Sequence, residues 1–206
     1  MKKVPVDNLS AVIVDNWFTE QEYETAFTEC KLLSSYFGDP SQSGSAVDDE
    51  GKPLKNNKSV FLTDVFASWS TSRIAQLSQK KYEKKFVDKM IELDPLFSYL
   101  NFINSHDCLV SYYETSDYYK AHRDRAVLTM VTWLYETPKA FRGGDLILRN
   151  KDEEIVAEIE CLPNRSVIFP GFFLHEVTKI SMRPDDMNQN KGRFTVSQFS
   201  SIGTHK

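Results

Sequence analysis

Apolar residues recur along this chain in two different periods. In the first half they sit at helical spacing. Thr19-Glu20-Gln21-Glu22 forms a capping box, and Tyr23, Ala26, Phe27, Cys30 and Leu33 follow it on one face. A β-branched run from Ala11 to Asp15 precedes that helix and reads as a strand. Val60 to Val65 reads as a short extended piece. A second helix is predicted from about Thr71 to Leu93, striped by Ile74, Leu77, Tyr82, Phe86, Met90 and Ile91. Lys80, Lys81, Lys84 and Lys85 occupy its remaining arc and read as a solvated face. Between the helices, Gly38 to Lys58 turns to Gly, Ser, Asp, Asn, Lys and Pro, a stretch too long for an ordinary connector.

Beyond Asp107 the period shortens to alternating runs separated by turn residues: CLVSYYE, YYKAH, VLTMVTWLY, DLILRN, EIVAEIE, SVIFP, LHEVTKI and RFTVSQF. Gly143-Gly144, Pro163-Asn164 and Pro170-Gly171 punctuate them. About eight strands with no long helix between them imply antiparallel sheets closed into a sandwich or barrel. The expected fold is mainly β with flanking helices, a double-stranded β-helix (jelly roll) with N-terminal helices packed on one sheet. The whole of 1–206 is expected to be one domain, with 1–106 as strand and helix support carrying a mobile loop at 38–58, and 107–201 as the core.

Composition narrows the function classes. The chain has 206 residues, 41% hydrophobic, with a formal net charge of -4, so it can bury a core and lacks the basic excess that holds a phosphate backbone. No apolar run reaches the length of about 20 residues that a membrane helix needs, and the start is broken by Pro5, Asp7 and Asp15. Neither nucleic acid nor membrane is expected as a partner, and the expected location is cytoplasmic. Cys30, Cys108 and Cys161 are odd in number and far apart, without C-x-x-C spacing, and read as reduced and buried.

Of four histidines, His106 beside Asp107 and His205 near the end read as exposed and idle. His122 begins His122-Arg123-Asp124 at a strand edge, where a period of two puts imidazole and carboxylate on one face. His175 follows 53 residues later, at the start of another strand and after the PGFFL turn. Two imidazoles and one carboxylate on facing strands form the triad that leaves open positions on Fe(II); Zn is the competing metal. Gly192-Arg193 opens the last strand. With His175 and Arg193 on neighbouring strands of one hairpin, the guanidinium points into the metal cavity, where its planar fork suits a carboxylate. A metal triad with a buried Arg is what an iron enzyme using 2-oxoglutarate requires.

The order YYETSDYYKAHRD, FRGGDLIL, NRSVIFPGFFLHEV, GRFTVSQF resembles the iron(II)- and 2-oxoglutarate-dependent dioxygenases of the prolyl 4-hydroxylase-like superfamily. The resemblance covers Cys108 to Ser200 and, more loosely, the VIVDNWFTEQEYE start. It implies a metal site of His122, Asp124 and His175, with 2-oxoglutarate as cosubstrate and O2, and with ascorbate as a further option. Tyr113 and Tyr119 match the family's two tyrosines before the first histidine, and Tyr113 inherits contact with the cosubstrate, against a plain role as a core aromatic. Thr129 and Trp133 alternate along the next strand and are candidates to line its pocket, against a plain role in core packing. Arg193 stands where collagen-type members use Lys. Ser116 and Asn164 stand where many relatives carry Gly. The 18-residue step from His175 to Arg193 is longer than usual and calls for an extended hairpin tip through SMRPDDMNQNK, in which Arg183 is the rival cation.

The implied activity is hydroxylation of a C–H bond, a peptidyl proline among the options, with succinate and CO2 as coproducts and a small molecule or peptide as substrate. Two other classes compete. A non-enzymatic jelly-roll binding module would pair Arg193 with a protein carboxylate. A zinc hydrolase would need a general base near the metal, and Glu176, the one neighbour of its type, alternates away from His175. The polar segment from Gly38 to Lys58 is expected to be a lid over the metal site, anchored by Val47 and Leu54.

Overall fold

The computed structural model describes residues 1–203, so His205 lies outside the described residues. β1 (Lys2–Val6) and β2 (Leu9–Val14) form an antiparallel hairpin. α1 (Glu20–Leu33) begins at the capping box: the Thr19 hydroxyl accepts the Glu22 N–H at 3.3 Å and the Glu22 carboxylate accepts the Thr19 N–H at 2.9 Å. Its buried residues are Ala26, Phe27, Cys30 and Leu33. The polar segment contains β3 (Lys55–Asn56) and runs into β4 (Lys58–Phe61), which a single helical turn, α2 (Leu62–Val65), follows. The extended piece expected over Val60 to Val65 is therefore strand only as far as Phe61.

The helix expected from Thr71 to Leu93 is broken into α3 (Arg73–Leu77), a 3-10 stretch at Ser78–Tyr82, and α4 (Lys84–Leu93). Ser78 donates its hydroxyl to the Ile74 carbonyl at 2.7 Å, and Glu83 is extended. The tighter winding breaks up the lysine arc. Lys84 and Lys85 are exposed, but Lys80 pairs with Glu22 at 2.6 Å, and buried Lys81 donates to Gln198 Oε1 at 2.6 Å. One solvated face is the wrong description for those two lysines. His106 is likewise not idle: it is half-buried, edge-on to Trp69 at 4.7 Å and tilted against Tyr82 at 6.2 Å.

The remaining strands are β5 (Ser105–Tyr113), β6 (Tyr118–His122), β7 (Leu128–Leu134), β8 (Phe141–Arg142), β9 (Leu146–Arg149), β10 (Ile155–Ile159), β11 (Ser166–Pro170), β12 (Leu174–Val177), β13 (Ser181–Met182) and β14 (Arg193–Ser201). All eight runs read from the pattern are strands; β8 and β13, two residues each, are additional and pair with each other. One sheet has the order β1-β2-β11-β7-β14-β5-β4 and the facing one β10-β9-β12-β6-β3, all neighbours antiparallel. This is the jelly roll.

The larger sheet is buried on both faces, and its period of two sorts the side chains. Val12, Cys108, Val110, Met130, Ile168, Phe194 and Val196 pack against the helices with Phe27, Ile74, Met90 and Phe97. The alternate residues Ile13, Tyr113, Val131, Trp133, Val167 and Phe169 turn inward and meet Leu146 and Leu148 of the smaller sheet. The three cysteines are free and buried.

Asn164 ties the two layers at one corner. Its φ is 61°, the left-handed backbone that a Gly would otherwise supply. Its side-chain amide accepts the Phe18 N–H and donates to the Phe18 carbonyl, both at 2.8 Å. Losing two hydrogen bonds should make Asn164→Gly cost about 2 kcal/mol, and Asn164→Ala about 1 kcal/mol more because Ala also strains the backbone. Urea unfolding of the three proteins checks both the loss and its order; equal stability of the two variants would show that the positive φ carries no cost.

Candidate active site

β6 and β12 are hydrogen-bonded neighbours whose register sets His175 directly opposite His122. Asp124 lies just past the end of β6, and its N–H donates to the Gly171 carbonyl at 2.7 Å. A Cβ on Gly171 would stand 2.2 Å from the Ala126 carbonyl oxygen, so only Gly lets the turn before β12 press this close. The Nδ1 atoms are engaged by backbone: His122 with the Lys120 carbonyl at 2.8 Å, His175 with the Phe173 carbonyl at 2.9 Å. Carbonyls accept only, so both rings carry a proton on Nδ1, which leaves Nε2 as the nitrogen that faces the cavity. Those nitrogens lie 3.6 and 3.5 Å from the two Asp124 carboxylate oxygens. The three ligand atoms fall within 4.8 Å of one another, a donor set able to hold one metal ion. Burial, followed by the neighbouring His175 ring, holds His122 far below the ordinary imidazole range, in the neutral form a metal ligand needs.

The walls hold these ligands in place. Thr129 donates its hydroxyl to Asp124 Oδ2 at 2.7 Å. Tyr119 stacks on His122 with centroids 3.5 Å apart and planes at 11°, and Phe169 meets His175 edge-on at 4.8 Å. Tyr119 in turn accepts the Ala46 N–H at 2.9 Å, and its strand pairs with β3. The polar segment therefore reaches the site by hydrogen bonds. Val47, expected to be an apolar anchor, is 54% exposed, and Leu54 is half-buried.

Arg193 enters the same cavity from the opposite sheet. It is not on a strand neighbouring His175, as expected of a single hairpin. β12 belongs to the smaller sheet and β14 to the larger, because the chain between them crosses over, pairing β13 with β8 on the way. Arg183 in that crossover has a side chain 83% exposed and bound to Asp186 at 3.1 Å, facing away from the cavity. Arg193 is 1% exposed and opposite Tyr113 in the β14–β5 register, its guanidinium 4.6 Å from the Tyr113 ring and 5.6 Å from the Trp133 ring. Among the described residues its Nε and Nη1 have no hydrogen-bond partner, and neither do Trp133 Nε1 and Thr195 Oγ1. Among the described residues no carboxylate pairs with it, and a buried guanidinium left with free donors is a site awaiting an anion. Burial pushes the Tyr113 phenol up to about 12, against the pull of Arg193, so it stays a neutral donor. Glu176 turns outward onto Arg149 at 2.8 Å, which leaves Asp124 as the one carboxylate among the lining residues.

Residues 108–200 match the family model of the 2OG-Fe(II) oxygenase superfamily. The match spans the strand-rich part of the chain and takes in His122, Asp124, His175 and Arg193. The His-Asp-His set fits the Fe(II) that this superfamily uses with 2-oxoglutarate and O2. Solved structures of the same fold include a Pseudomonas putida prolyl-4-hydroxylase, with 13% identity, 94% of this chain and 93% of that one covered, and a TM-score of 0.59. Another is a Trichoplax adhaerens prolyl hydroxylase in complex with a hypoxia inducible factor peptide fragment, with 15% identity, coverage of 93% and 83%, and a TM-score of 0.61. A third is a viral collagen prolyl hydroxylase from Paramecium Bursaria Chlorella virus-1, solved with 2OG, with 13% identity, coverage of 93% and 96%, and a TM-score of 0.52. No curated protein matches the chain.

Pattern reading missed Lys55 and Asn57, which the oxygenase cavity buries beside His122. Their alternation in KNNKS carries the signal, since both lie in phase with Ser59 and Phe61 on one face. The FRGGDL motif also acquires a reason. Gly144 has φ 79°, and a Cβ there would stand 2.9 Å from Arg193 Cδ and 3.1 Å from Ile180 Cδ1. Gly144→Ala should cost about 2 kcal/mol from strain and overpacking and displace the guanidinium. Denaturant unfolding combined with 2-oxoglutarate titration checks both effects; unaltered cosubstrate affinity would show that Arg193 does not depend on this gap.

Proposed function

We propose that His122, Asp124 and His175 hold Fe(II) and that Arg193 takes the far carboxylate of 2-oxoglutarate, so that the protein hydroxylates a C–H bond of a prolyl residue in a peptide. The observation that carries this reading is the buried, acid-free guanidinium facing the triad across one cavity. It argues against a binding module in which Arg193 would be neutralised by the protein. The outward pairing of Glu176 argues against a hydrolase.

When bound, Fe(II) with 2-oxoglutarate and O2 supplies the oxidant, and succinate and CO2 leave as coproducts. The chain itself orients and shields. The carbonyls of Lys120 and Phe173 aim the imidazoles, Thr129 fixes the carboxylate, and Arg193 with Tyr113 and Thr195 forms the cosubstrate's anion end, while Trp133, which does not line the cavity, packs in the core behind the guanidinium. The apolar walls, Leu146, Val131 and Val177, keep water from that end. The segment from Gly38 to Lys58 covers the mouth and orders around substrate, as its purely polar attachment through Ala46 and β3 suits. Prolyl chemistry is supported by the named hydroxylases of the same fold, one of them with a bound peptide. Three free cysteines suit a reducing compartment, and among the described residues no helix is long and apolar enough to cross a membrane; we place the protein in the cytoplasm.

His175→Ala should abolish succinate formation and weaken metal binding by 10-fold or more, while circular dichroism keeps the folded signature. Arg193→Ala should raise the 2-oxoglutarate requirement steeply, with a loss of about 2 to 5 kcal/mol from the severed charge-assisted contact. Retention of full turnover in His175→Ala, or an equal cosubstrate effect from Arg183→Ala, would reassign the site.

A further inference from the structure

The cavity holds a second buried cation, which neither the metal nor the cosubstrate uses. Lys55 is 3% exposed and lines the same space as His122, Asp124 and Arg193. Its ammonium donates to the Ser43 carbonyl at 3.3 Å and the Ser59 hydroxyl at 3.2 Å, both neutral and both long, and it sits 5.9 Å from the Tyr119 ring. Among the described residues no carboxylate lies within ion-pair distance of it. Two residues on, Asn57 is also 3% exposed, and neither its amide nitrogen nor its oxygen has a partner among the described residues. Burial pulls Lys55 down to about 8, which still leaves it charged at neutral pH.

Buried ammonium groups and orphaned amides are expensive unless something pairs with them. A mere tie between Ser43 and Ser59 requires no charge. The count over the cavity points the same way. Its lining carries two cations, Lys55 and Arg193, and one acid, Asp124. On the reading proposed above, the iron dication and the 2-oxoglutarate dianion cancel, and a single positive charge is left over. Arg193 is spoken for by the cosubstrate, so the unneutralised charge is that of Lys55. Outside, Arg123 and Arg125 flank Asp124 on the exposed rim, where Arg123 holds the Phe172 carbonyl and Asp107 is the opposing acid. Such a rim draws anions inward.

We infer that Lys55 and Asn57 form a subsite for a carboxylate on the substrate, so that the molecule hydroxylated here carries a negative charge close to the oxidised carbon. This rests on the oxygenase reading and adds the substrate class to it. A free amino acid such as proline and an acidic side chain near a peptidyl proline present the same chemistry. The test uses the full chain loaded with Mn(II) and with N-oxalylglycine, an inert cosubstrate analogue that fills the Arg193 end. Acetate is titrated in, and its methyl proton relaxation by the manganese is followed, with neutral acetamide as the matched control. Saturable relaxation by acetate, at least 10-fold weaker for acetamide and at least 10-fold weaker for acetate in Lys55→Met but retained in Lys55→Arg, is the expected result. Equal acetate affinity in Lys55→Met would show direct metal binding and overturn the subsite; so would no acetate binding, or equal binding of acetamide. Should Lys55→Met not fold, Asn57→Ala takes its place, with acetate relaxation expected to weaken at least 3-fold, and equal acetate affinity there overturning the subsite. Failure to bind Mn(II) at all would strike the oxygenase site instead. Two further arms, free L-proline against its amide and a doubly blocked Pro-Glu peptide against Pro-Gln, separate the sources. A charge preference that depends on Lys55 in either pair supports the subsite, and its absence from both overturns it.

Discussion

The antiparallel register between β6 and β12 is the constraint on which the site depends. It sets His175 across from His122, and because side chains alternate with a period of two, a slip of one residue would send one imidazole out of the cavity. β12 is held on both sides. β9 pairs with all four of its residues, and a bulge between His175 and Val177 marks where the β6 pairing departs from ideal after the histidine has been placed. The close approach at Gly171 locks the turn leading into it. Backbone hydrogen bonds thus position the three candidate ligands, and the Nδ1 contacts with the Lys120 and Phe173 carbonyls settle which nitrogen of each ring faces the cavity.

The larger sheet solves a different problem, that of bringing a guanidinium into an apolar interior. Along β14, Phe194 and Val196 take the helix side while Arg193, Thr195, Ser197 and Phe199 take the cavity side. The helix face supplies the apolar burial that keeps the strand central, between β7 and β5. The cavity face is thereby free to carry polar groups that stability alone would not select. The donors of Arg193 and Thr195 that have no partner among the described residues are a cost that a bound carboxylate would remove. Function and local instability coincide here.

How much of this was legible in the chain depends on range. Strands with a clear period of two were readable one by one, as were α1 with its capping box and the pairing of His122 with Asp124 on one face. The 71–93 segment had a convincing apolar stripe, but its break at Ser78 to Glu83 depends on Lys81 and Tyr82 reaching Gln198 and Ser200 over a hundred residues away. Periodicity carries no such information. The same limit explains the misplaced hairpin: His175 and Arg193 share a cavity because the chain crosses between sheets, and spacing alone does not separate a long hairpin from a crossover. Ser116, read as a substitute for Gly, does adopt a positive φ of 77°.

The polar segment shows most clearly how a local reading and a tertiary one diverge. Its composition lacks the apolar surface to fold by itself, and Val47 remains exposed. It is nevertheless placed, because Tyr119 offers its face to His122 and its oxygen to the Ala46 N–H, while β3 adds its two residues to the edge of the sheet beside β6. Ser43, Lys55 and Ser59 then share a buried polar cluster at its base, with Ser59 donating to Ser43 at 2.7 Å. Polar clusters hold a segment only while every member is satisfied, since each unpaired group in a low-dielectric interior costs more than one bond returns. Lys55 is the member left short. On the proposal made above, an anion that completes the cluster would stabilise the segment as well, because the same ammonium that meets the anion is the one that ties Ser43 to Ser59.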